Sequence, residues 1–313
     1  MPSLKDLKNR IASVKSTRKI TSAMKMVAAS KLRRAQERAE NARPYTRFMR
    51  KMMLDLAGTR DPSREPSPLL AGHGKNETIL LVVMTSDRGL CGAFNSTVIR
   101  ATRLHIKELE SAGKKIKLLC IGRKGRDALR RDYGQHILYA AESSTLVSLD
   151  LDEEKHAHEP VRKLISSEDA QKLGEVILRF YSEGVFDQAM LVYNRFKSAI
   201  SQELVIQRLV PFLDEEGAPA AQDQQTAPLA IEIFEPPQHV VLEAMLVKHL
   251  VSQLYAALLE SAAGEQGSRM TAMDNATRNA GDMIDRLTLH YNRSRQAAIT
   301  NELIEIISGA AAV

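Results

Sequence analysis

The sequence contains one approximate match to a phosphate-binding loop. Such a loop needs the pattern G-x-x-x-x-G-K-[ST], because its backbone N–H groups must surround the phosphates. The match ends at Gly74-Lys75, but Leu69 replaces the first glycine and Asn76 replaces the hydroxyl residue. We therefore reject a phosphate-binding loop at this position.

A second segment, Ser86 to Gly92, follows a predicted strand and precedes a predicted helix, where a dinucleotide-binding loop would lie. Its sequence, SDRGLCG, is not G-x-G-x-x-G, and Asp87 and Arg88 are bulky where close approach is needed. We favour a tight strand-to-helix turn. Cys91 could be an exposed thiol or a nucleophile, but no nearby histidine or other base supports that chemistry.

A third segment combines imidazoles with carboxylates, which are mixed nitrogen and oxygen ligands for a metal. A solvated acidic loop is far more common and is our preferred interpretation. The residues concerned are His156, His158, Asp150, Asp152, Glu153 and Glu154. No Ser-His-Asp, H-E-x-x-H or paired-carboxylate arrangement stands out. We therefore predict no catalytic, cofactor-binding or metal-binding residues and no cofactor.

Composition limits the class of protein. A chain of 313 residues that is 44% hydrophobic can form one or two domains with a core. Cys91 and Cys120 are too few for a disulfide scaffold and suit a reducing compartment. No apolar run approaches the ~18 residues of a membrane span, and the start lacks a secretory or transit segment. We expect a soluble intracellular protein.

Positive charge is concentrated near the start of the chain. The whole chain has a net charge of +6. Residues 5–51 alone hold fifteen Lys or Arg and three Asp or Glu. Such a surface predicts an acidic partner, which could be a nucleic acid, an anionic lipid or an acidic protein surface. The alternative is a solvated helix face, although like charges along one helix repel each other.

Residues 3 to about 57 read as one very long helix with a sustained apolar stripe. Ser3 can cap it and Asp6 can complete a capping box. Pro44 should kink or interrupt the helix, and Gly58 and Pro62 should end it. At ~1.5 Å per residue this helix would reach about 80 Å.

A longer helical pattern, about 105 Å at the same rise, runs from residue 238 to about 308, after Pro236-Pro237. A patch of small residues interrupts its apolar stripe near the middle, where close helix approach would be allowed. The stripe finishes with Ile299, Leu303 and Ile306, and Gly309 is the predicted stop.

The intervening sequence alternates between strand and helix patterns after a linker at 59–76. This predicts a partly parallel sheet with helices on its faces. The predicted strands are 78–86, 115–121, 136–140, 186–196 and 202–211, with an edge strand at 229–234. The predicted helices are 95–111, 123–132 and 166–181, while 142–165 is ambiguous and 214–228 reads as a flexible loop.

The fold class that follows is α/β. A long antiparallel two-helix coiled coil is formed by the N- and C-terminal helices, with an inserted Rossmann-like α/β domain. We predict three parts: an N-terminal coiled-coil helix at 1–58, an α/β foot domain at 77–235 and a C-terminal coiled-coil helix at 236–313. Helices of this length must bind each other or an outside partner, so a shaft or spacer is favoured over a self-contained enzyme.

Three segments resemble the gamma-subunit family of F-type ATP synthases, in its bacterial form. The first comprises IASV at 11–14 and KITSAMKMVAASK at 19–31. The second is TSDRGLCGAFN at 85–95. The third begins with SRM at 268–270 and continues as YNRSRQAAITNELIEIISGAAAV at 291–313. These segments occur in the family's order along the whole chain.

The resemblance implies a rotor subunit with no catalytic residues of its own. In this family the terminal helices form an antiparallel coiled coil inside a ring of three alpha and three catalytic beta subunits. The α/β domain binds the epsilon subunit and the membrane ring of c subunits. The subunit turns and couples proton-driven rotation to ATP synthesis. It would lie on the cytoplasmic face of a bacterial inner membrane or, alternatively, on the matrix side of the mitochondrial inner membrane.

The resemblance also implies contact residues near the end of the chain. By their place in the motif, Arg295 and Gln296 fall where the family contacts a loop of the catalytic subunit near the waist of the ring. Thr300 and Glu302 lie in the same contact region. For each residue, coiled-coil packing or a solvated face is the alternative.

Three further contact residues follow from the same motifs. Lys19 or Met24 on the opposing helix would belong to the same contact region. Met24 also occupies a position in the apolar stripe, so packing between the helices is sufficient to explain an apolar residue there. Arg269 would lie farther down, where the shaft passes acidic loops of the ring. The basic bias of residues 5–51 suits those loops.

Two other functions compete with this interpretation. A basic nucleic-acid-binding helix would need stacking aromatics or a known module, and only Tyr45 and Phe48 lie on the basic segment. An inert coiled-coil scaffold is the second rival. Some plant members of the family carry an inserted cysteine pair for redox control, and no such pair occurs here, so we expect no thiol switch.

Overall fold

The computed structural model describes residues 3–58, 66–143, 165–213 and 235–310. The predicted flexible loop at 214–228, the predicted edge strand at 229–234 and both His156 and His158 lie outside the described residues. So does nearly all of the ambiguous segment 142–165.

Six α-helices and five strands make up the described residues. In chain order they are α1 (Leu4–Gly58), α2 (Pro68–Ala71), β1 (Thr78–Met84), α3 (Phe94–Ser111), β2 (Lys115–Ile121), α4 (Arg123–Tyr133), a 3-10 turn (Gly134–His136), β3 (Ile137–Ala141), α5 (Ser167–Ser182), β4 (Gln188–Phe196), β5 (Gln202–Val210) and α6 (Gln238–Ala310). The order agrees with the predicted fold class of two long terminal helices and an inserted α/β domain.

The five strands form one sheet in the order β3-β2-β1-β4-β5. β1 pairs in parallel with β2 and β4, and β2 pairs in parallel with β3. β4 and β5 form an antiparallel hairpin, and Phe196 and Gln202 are the last pair before its connecting loop. Strand order reverses between β1 and β4, which is the switch point where sheets of this kind bind ligands.

Both faces of the sheet are buried, because successive side chains of a strand point to opposite faces. Leu80, Val82 and Met84 of β1 pack in a core that includes residues of α5 and α6. Ile79 and Leu81, on the other face, pack with residues of α3 and α4. The near-continuous apolar sequence of β1 and β2 follows from this two-sided burial.

The start of α1 follows the predicted capping box. Ser3 Oγ accepts from the backbone N–H of Asp6 at 3.1 Å, and Asp6 Oδ2 accepts from the backbone N–H of Ser3 at 3.2 Å. Pro44 does not interrupt the helix, so that part of the prediction is wrong. α1 continues through Pro44 to Gly58. Proline removes only one backbone donor, and packing on both sides supports the helix. Likewise α6 extends to Ala310, past the predicted stop at Gly309.

The described residues form two compact units. One lies within residues 1–30 and 269–313, and the other lies within residues 31–268. In the second unit, Met53 and Leu56 of α1 pack with Leu242 and Leu246 of α6. Ser67 precedes the short helix α2, whose Leu70 is fully buried there. The three-part division predicted from the sequence stays a prediction.

α6 contains a stretch that is long and apolar enough to cross a membrane by length and composition. This differs from the expectation that no apolar run approaches the length of a membrane span. In the second unit Leu250, Leu254 and Leu258 of the same helix are buried against the sheet. We therefore interpret the apolar stretch as a core helix.

Gly122 allows the chain to turn directly from β2 into α4. Its φ is 96°, and a Cβ there would overlap the carbonyl oxygen of Thr85. Thr85 Oγ1 in turn accepts from the backbone N–H of Gly125 at 2.9 Å. The ends of β1 and β2 are thus held together without room for a side chain at position 122.

We expect Gly122→Ala to lower the free energy of unfolding by about 3 kcal/mol, because it combines left-handed backbone strain with a backbone clash. Gly113→Ala is the matched control, since Gly113 has φ 74° but open space around its Cβ position. The control should cost only about 1 kcal/mol. Urea unfolding of the full chain measures both, and equal losses would contradict the clash.

His249 of α6 is a buried imidazole in the second unit. It is 2% exposed, and its ring meets the ring of Phe212 edge-on at a centroid distance of 4.9 Å. Burial, followed by the charge of Arg50, lowers the pKa of His249 from 6.5 to about 4. The folded chain therefore holds this ring neutral.

The free energy of unfolding should fall as the pH is lowered from about 6.5 to about 4. In this range His249 binds a proton in the unfolded chain but stays neutral in the folded chain. A pKa lowered from 6.5 to about 4 corresponds to roughly 3 kcal/mol. His249→Leu should remove this part of the pH dependence. Urea unfolding at several pH values measures it, and parallel curves for the two proteins would contradict the assignment.

Candidate partner-binding surface

In the first unit the two ends of the chain run antiparallel. Lys25 Nζ lies 2.6 Å from Asp274 Oδ1. Thr21 lies one turn before Lys25 on α1, and Thr277 lies one turn after Asp274 on α6. The two hydroxyl oxygens, Thr21 Oγ1 and Thr277 Oγ1, are 2.8 Å apart. Positions descend on α1 as they rise on α6, almost residue for residue, which is the predicted antiparallel pairing.

The seam between these segments is built from small and apolar side chains. Ala28 of α1 and Ala280 of α6 are buried, as are Met273 and Ile284 of α6. Small residues let two helices approach closely and pack without large voids. At the edge of the seam, Lys25 donates to Asp274 and so lowers the pKa of that carboxyl, with Arg278 contributing at 2.9 Å.

The last turns of α6 expose an apolar surface. The register places residue 295 of α6 opposite the start of α1, so α6 continues past its helical partner. Five large apolar side chains between residues 299 and 307 are 50–70% exposed. They are Ile299, Leu303, Ile304, Ile306 and Ile307. The apolar stripe predicts that Ile299, Leu303 and Ile306 pack internally, and that prediction is wrong because all three are exposed.

Four predicted contact residues lie on or beside this apolar end. Arg295, Gln296, Thr300 and Glu302 are all exposed. Thr300 Oγ1 donates to the backbone carbonyl of Gln296 at 2.9 Å, one turn back along α6. Within the part of the chain that the structure describes, Arg295 and Glu302 make no ion pair. Their charges are therefore available to an outside partner.

The remaining predicted contact residues lie elsewhere in the chain. Lys19 is exposed and Met24 is half-buried on α1. By the register they lie opposite residues 275–280, about 25 Å of helix from Arg295. The structure therefore does not bring Lys19 or Met24 together with the Arg295 group. Arg269 is half-buried at the beginning of the α6 segment in this unit.

The turn between β1 and α3 is held by its own side chains. The backbone N–H of Ser86 donates to Asn95 Oδ1 at 2.9 Å, and Asn95 Nδ2 lies 3.2 Å from Cys91 Sγ. Asp87 Oδ1 accepts from the backbone N–H groups of Arg123 and Ser143 at 3.2 and 2.9 Å. Cys91 is buried, so the alternative of an exposed thiol is wrong.

The crevice at the switch point of the sheet is filled by the chain itself. A Cβ at Gly264 of α6 would lie 3.3 Å from the ring of Phe94, which begins α3, and 3.7 Å from the carbonyl oxygen of Asn194 in β4. Asn194 Nδ2 also donates to the backbone carbonyl of Phe94 at 3.1 Å. A helix thus lies where related sheets bind a nucleotide.

Comparisons with known proteins agree over the full length of the chain. The family described as "ATP synthase" matches residues 3–313. The ATP synthase gamma chain of Rhodospirillum rubrum is 51% identical over 317 residues, and that of Paracoccus denitrificans is 50% identical over 313 residues. In both cases all of this chain and all of the relative are covered.

Solved structures share the fold. A chain from the central stalk and c-ring of the Tetrahymena thermophila mitochondrial ATP synthase is 27% identical, with a TM-score of 0.56, and covers 82% of this chain and 99% of its own. A chain from the Euglena gracilis mitochondrial ATP synthase is 20% identical, with a TM-score of 0.62, and covers 99% and 94%. The second likeness concerns the fold alone. Since a family match and half-identical relatives both extend over the whole length, the chain belongs to the family of ATP synthase gamma chains.

Proposed function

We propose that this chain is the central-stalk rotor of an F-type ATP synthase, which couples proton-driven rotation of a membrane ring to conformational change at the catalytic sites. Full-length membership of the gamma-chain family carries this proposal. The antiparallel pairing of the chain ends, with an apolar end on α6, supports it physically.

The asymmetry of two paired helices explains how a rotor can act on identical sites. Two helices have no threefold symmetry, so inside a threefold ring they contact each catalytic subunit differently. The rotor biases a site only by the difference in contact energy between conformations of that site. A shift from 1:99 to 99:1 needs ~5.5 kcal/mol, which several charge-assisted contacts and steric exclusion can supply. Because the coupling is reciprocal, rotation and catalysis drive each other.

The reaction itself belongs to the complex. The chain supplies no catalytic residue and binds no nucleotide, and the proton-translocating ATP synthase activity resides in the assembly. The close approach of Gly264 to Phe94 and Asn194 supports this, because among the described residues α6 occupies the crevice at the switch point.

The partners are the alpha and beta subunits of the head, the epsilon subunit and the ring of c subunits. The solved Tetrahymena relative comes from a central stalk with its c-ring, and the Euglena relative from an assembly with F1, OSCP and the c-ring. In this assignment the α/β domain binds epsilon and the c-ring. The protein is then peripheral to the cytoplasmic face of a bacterial inner membrane.

Two groups of residues contact the head. Arg295, Gln296, Thr300 and Glu302 meet a loop of the catalytic subunit, beside an exposed apolar end of α6 that contact with the ring would cover. Lys19, Met24 and Arg269 contact the ring at lower levels, where exposed basic residues of α1 face acidic loops. The separation of about 25 Å between Arg295 and the Lys19–Met24 segment implies contacts at two heights.

Arg295→Ala combined with Gln296→Ala should lower ATP turnover of the assembled complex by about tenfold or more, if the pair supplies at least ~1.4 kcal/mol of differential contact energy. Both side chains are exposed, so the Tm of the free chain should change little. The measurement is ATPase activity of purified complexes with matched subunit content.

Arg286→Ala combined with His290→Ala is the control, because these exposed residues lie on the opposite side of α6 from Arg295 and Gln296. It should affect turnover much less. Equal activity of the Arg295/Gln296 variant and the unsubstituted complex, at equal subunit content, would overturn the contact assignment.

A dithiol reductant should leave the ATPase activity of the complex unchanged. Cys91 and Cys120 are both free and buried, and burial raises the pKa of the Cys120 thiol to about 12. The reactive thiolate of Cys120 is therefore scarce at neutral pH. Activity is measured before and after incubation with the reductant, and a reversible change would contradict the absence of a thiol switch.

A further inference from the structure

Glu260 is a buried carboxylate of α6, in the unit that contains the α/β domain. The residue is 9% exposed. Arg43 Nε of α1 lies 3.4 Å from its Oε1, and Arg195 Nε of β4 lies 3.8 Å from its Oε2. Burial raises the pKa of Glu260, while the charges of Arg43 and Arg195 oppose that rise. One carboxylate therefore bridges both long helices and the sheet.

The same contacts extend to the end of the β4–β5 hairpin. Arg43 Nη2 donates to the backbone carbonyl of Phe196, the last residue of β4, at 3.3 Å. Arg195 also faces Glu203 of β5, with Nη1 4.0 Å from Oε2, and Lys197 Nζ lies 3.1 Å from the same oxygen. The hairpin end is thus tied to α1 and α6 through charged groups.

The hairpin also fits α6 by shape. A Cβ at Gly264 would lie 3.4 Å from Gln202, and one at Gly267 would lie 3.1 Å from the backbone oxygen of Ala199. Ser268 Oγ donates to Gln202 Oε1 at 2.8 Å. Residues 260, 264, 267 and 268 share one face of α6, so charge and shape act on the same side of the helix.

We propose that these contacts form a hairpin lock, which stops α6 and α1 from sliding or turning against the α/β domain while torque passes between them. The lock comprises the hairpin end from Arg195 to Gln202, Arg43 of α1, and Glu260, Gly264, Gly267 and Ser268 of α6. Glu260 is the positioning residue that joins its three elements. The inference rests on the proposed rotor function, because only a chain under torque needs such a lock.

The energetics favour a lock over a simple gain in stability. A buried ion pair is weak support for stability, because desolvation offsets much of the attraction, whereas fixing register is its best-attested use. Apolar packing is non-directional and tolerates alternative arrangements of a helix on a sheet. A carboxylate between two guanidinium groups, beside Gly264 against the Gln202 side chain and Gly267 against the Ala199 backbone, defines one arrangement.

Glu260→Gln tests the lock, because it keeps the shape and removes the charge. The side chains of Arg43 and Arg195 are 45% and 41% exposed, so they stay hydrated without Glu260 and the variant should fold. Glu203→Gln is the matched control. It belongs to the same charge cluster but pairs only with Arg195 and Lys197, within the hairpin itself.

Two readouts are taken on the assembled complex in vesicles. Hydrogen exchange of the amides around residues 257–268 should quicken about tenfold in Glu260→Gln, which corresponds to ~1.4 kcal/mol of local stability. The ratio of ATP-driven proton pumping to ATP hydrolysis should also fall, most strongly against an established proton gradient. The control should change neither.

An unchanged pumping ratio in Glu260→Gln would overturn the lock, whether or not exchange quickens, because Glu260 would then have only a structural role. Arg43→Gln provides a second variant, which breaks the α1 link alone and should lower the ratio as well. If the unsubstituted chain supports no pumping in a complete complex, the rotor function fails instead. The two failures are therefore distinct.

Discussion

The antiparallel, nearly one-to-one pairing of α1 with α6 is the constraint on which the other features depend. In the first unit the pairing is set by Lys25 with Asp274, and in the second by Arg43 with Glu260. In the first unit this register places residue 295 of α6 opposite the start of α1, so among the described residues the end of α6 continues past its helical partner. That end then exposes apolar surface and the charged residues beside it, such as Arg295.

The α/β domain has the topology of a ligand-binding sheet, and α6 packs against this sheet. Gly264 of α6 lies in its switch-point crevice, against Phe94 and Asn194, and Gly122 closes the neighbouring strand ends. A fold that usually positions a cofactor here holds a helix, which illustrates that function lies in the site and not in the fold.

The sequence predicted the elements well wherever local patterns were strong. The capping box at Ser3 is confirmed, and β2 has the predicted bounds because apolar residues end sharply at Gly122. The predicted interruption of α1 at Pro44 was wrong, because propensity is local whereas packing along α1 is not. The exposure of Leu303 was missed for a related reason, since periodicity predicts an apolar face but not what covers it. The network around Glu260 had no signal in the sequence, because Arg43 and Glu260 are 217 positions apart along the chain.

The central claim is that this chain turns inside a ring of catalytic subunits. The most direct measurement fixes the head of the purified complex to a surface, attaches a probe to the α/β domain of this chain and follows the probe by microscopy during ATP hydrolysis. The account predicts rotation in one direction with pauses at equal thirds of a turn. A probe that stays still while the same complexes hydrolyse ATP would contradict it.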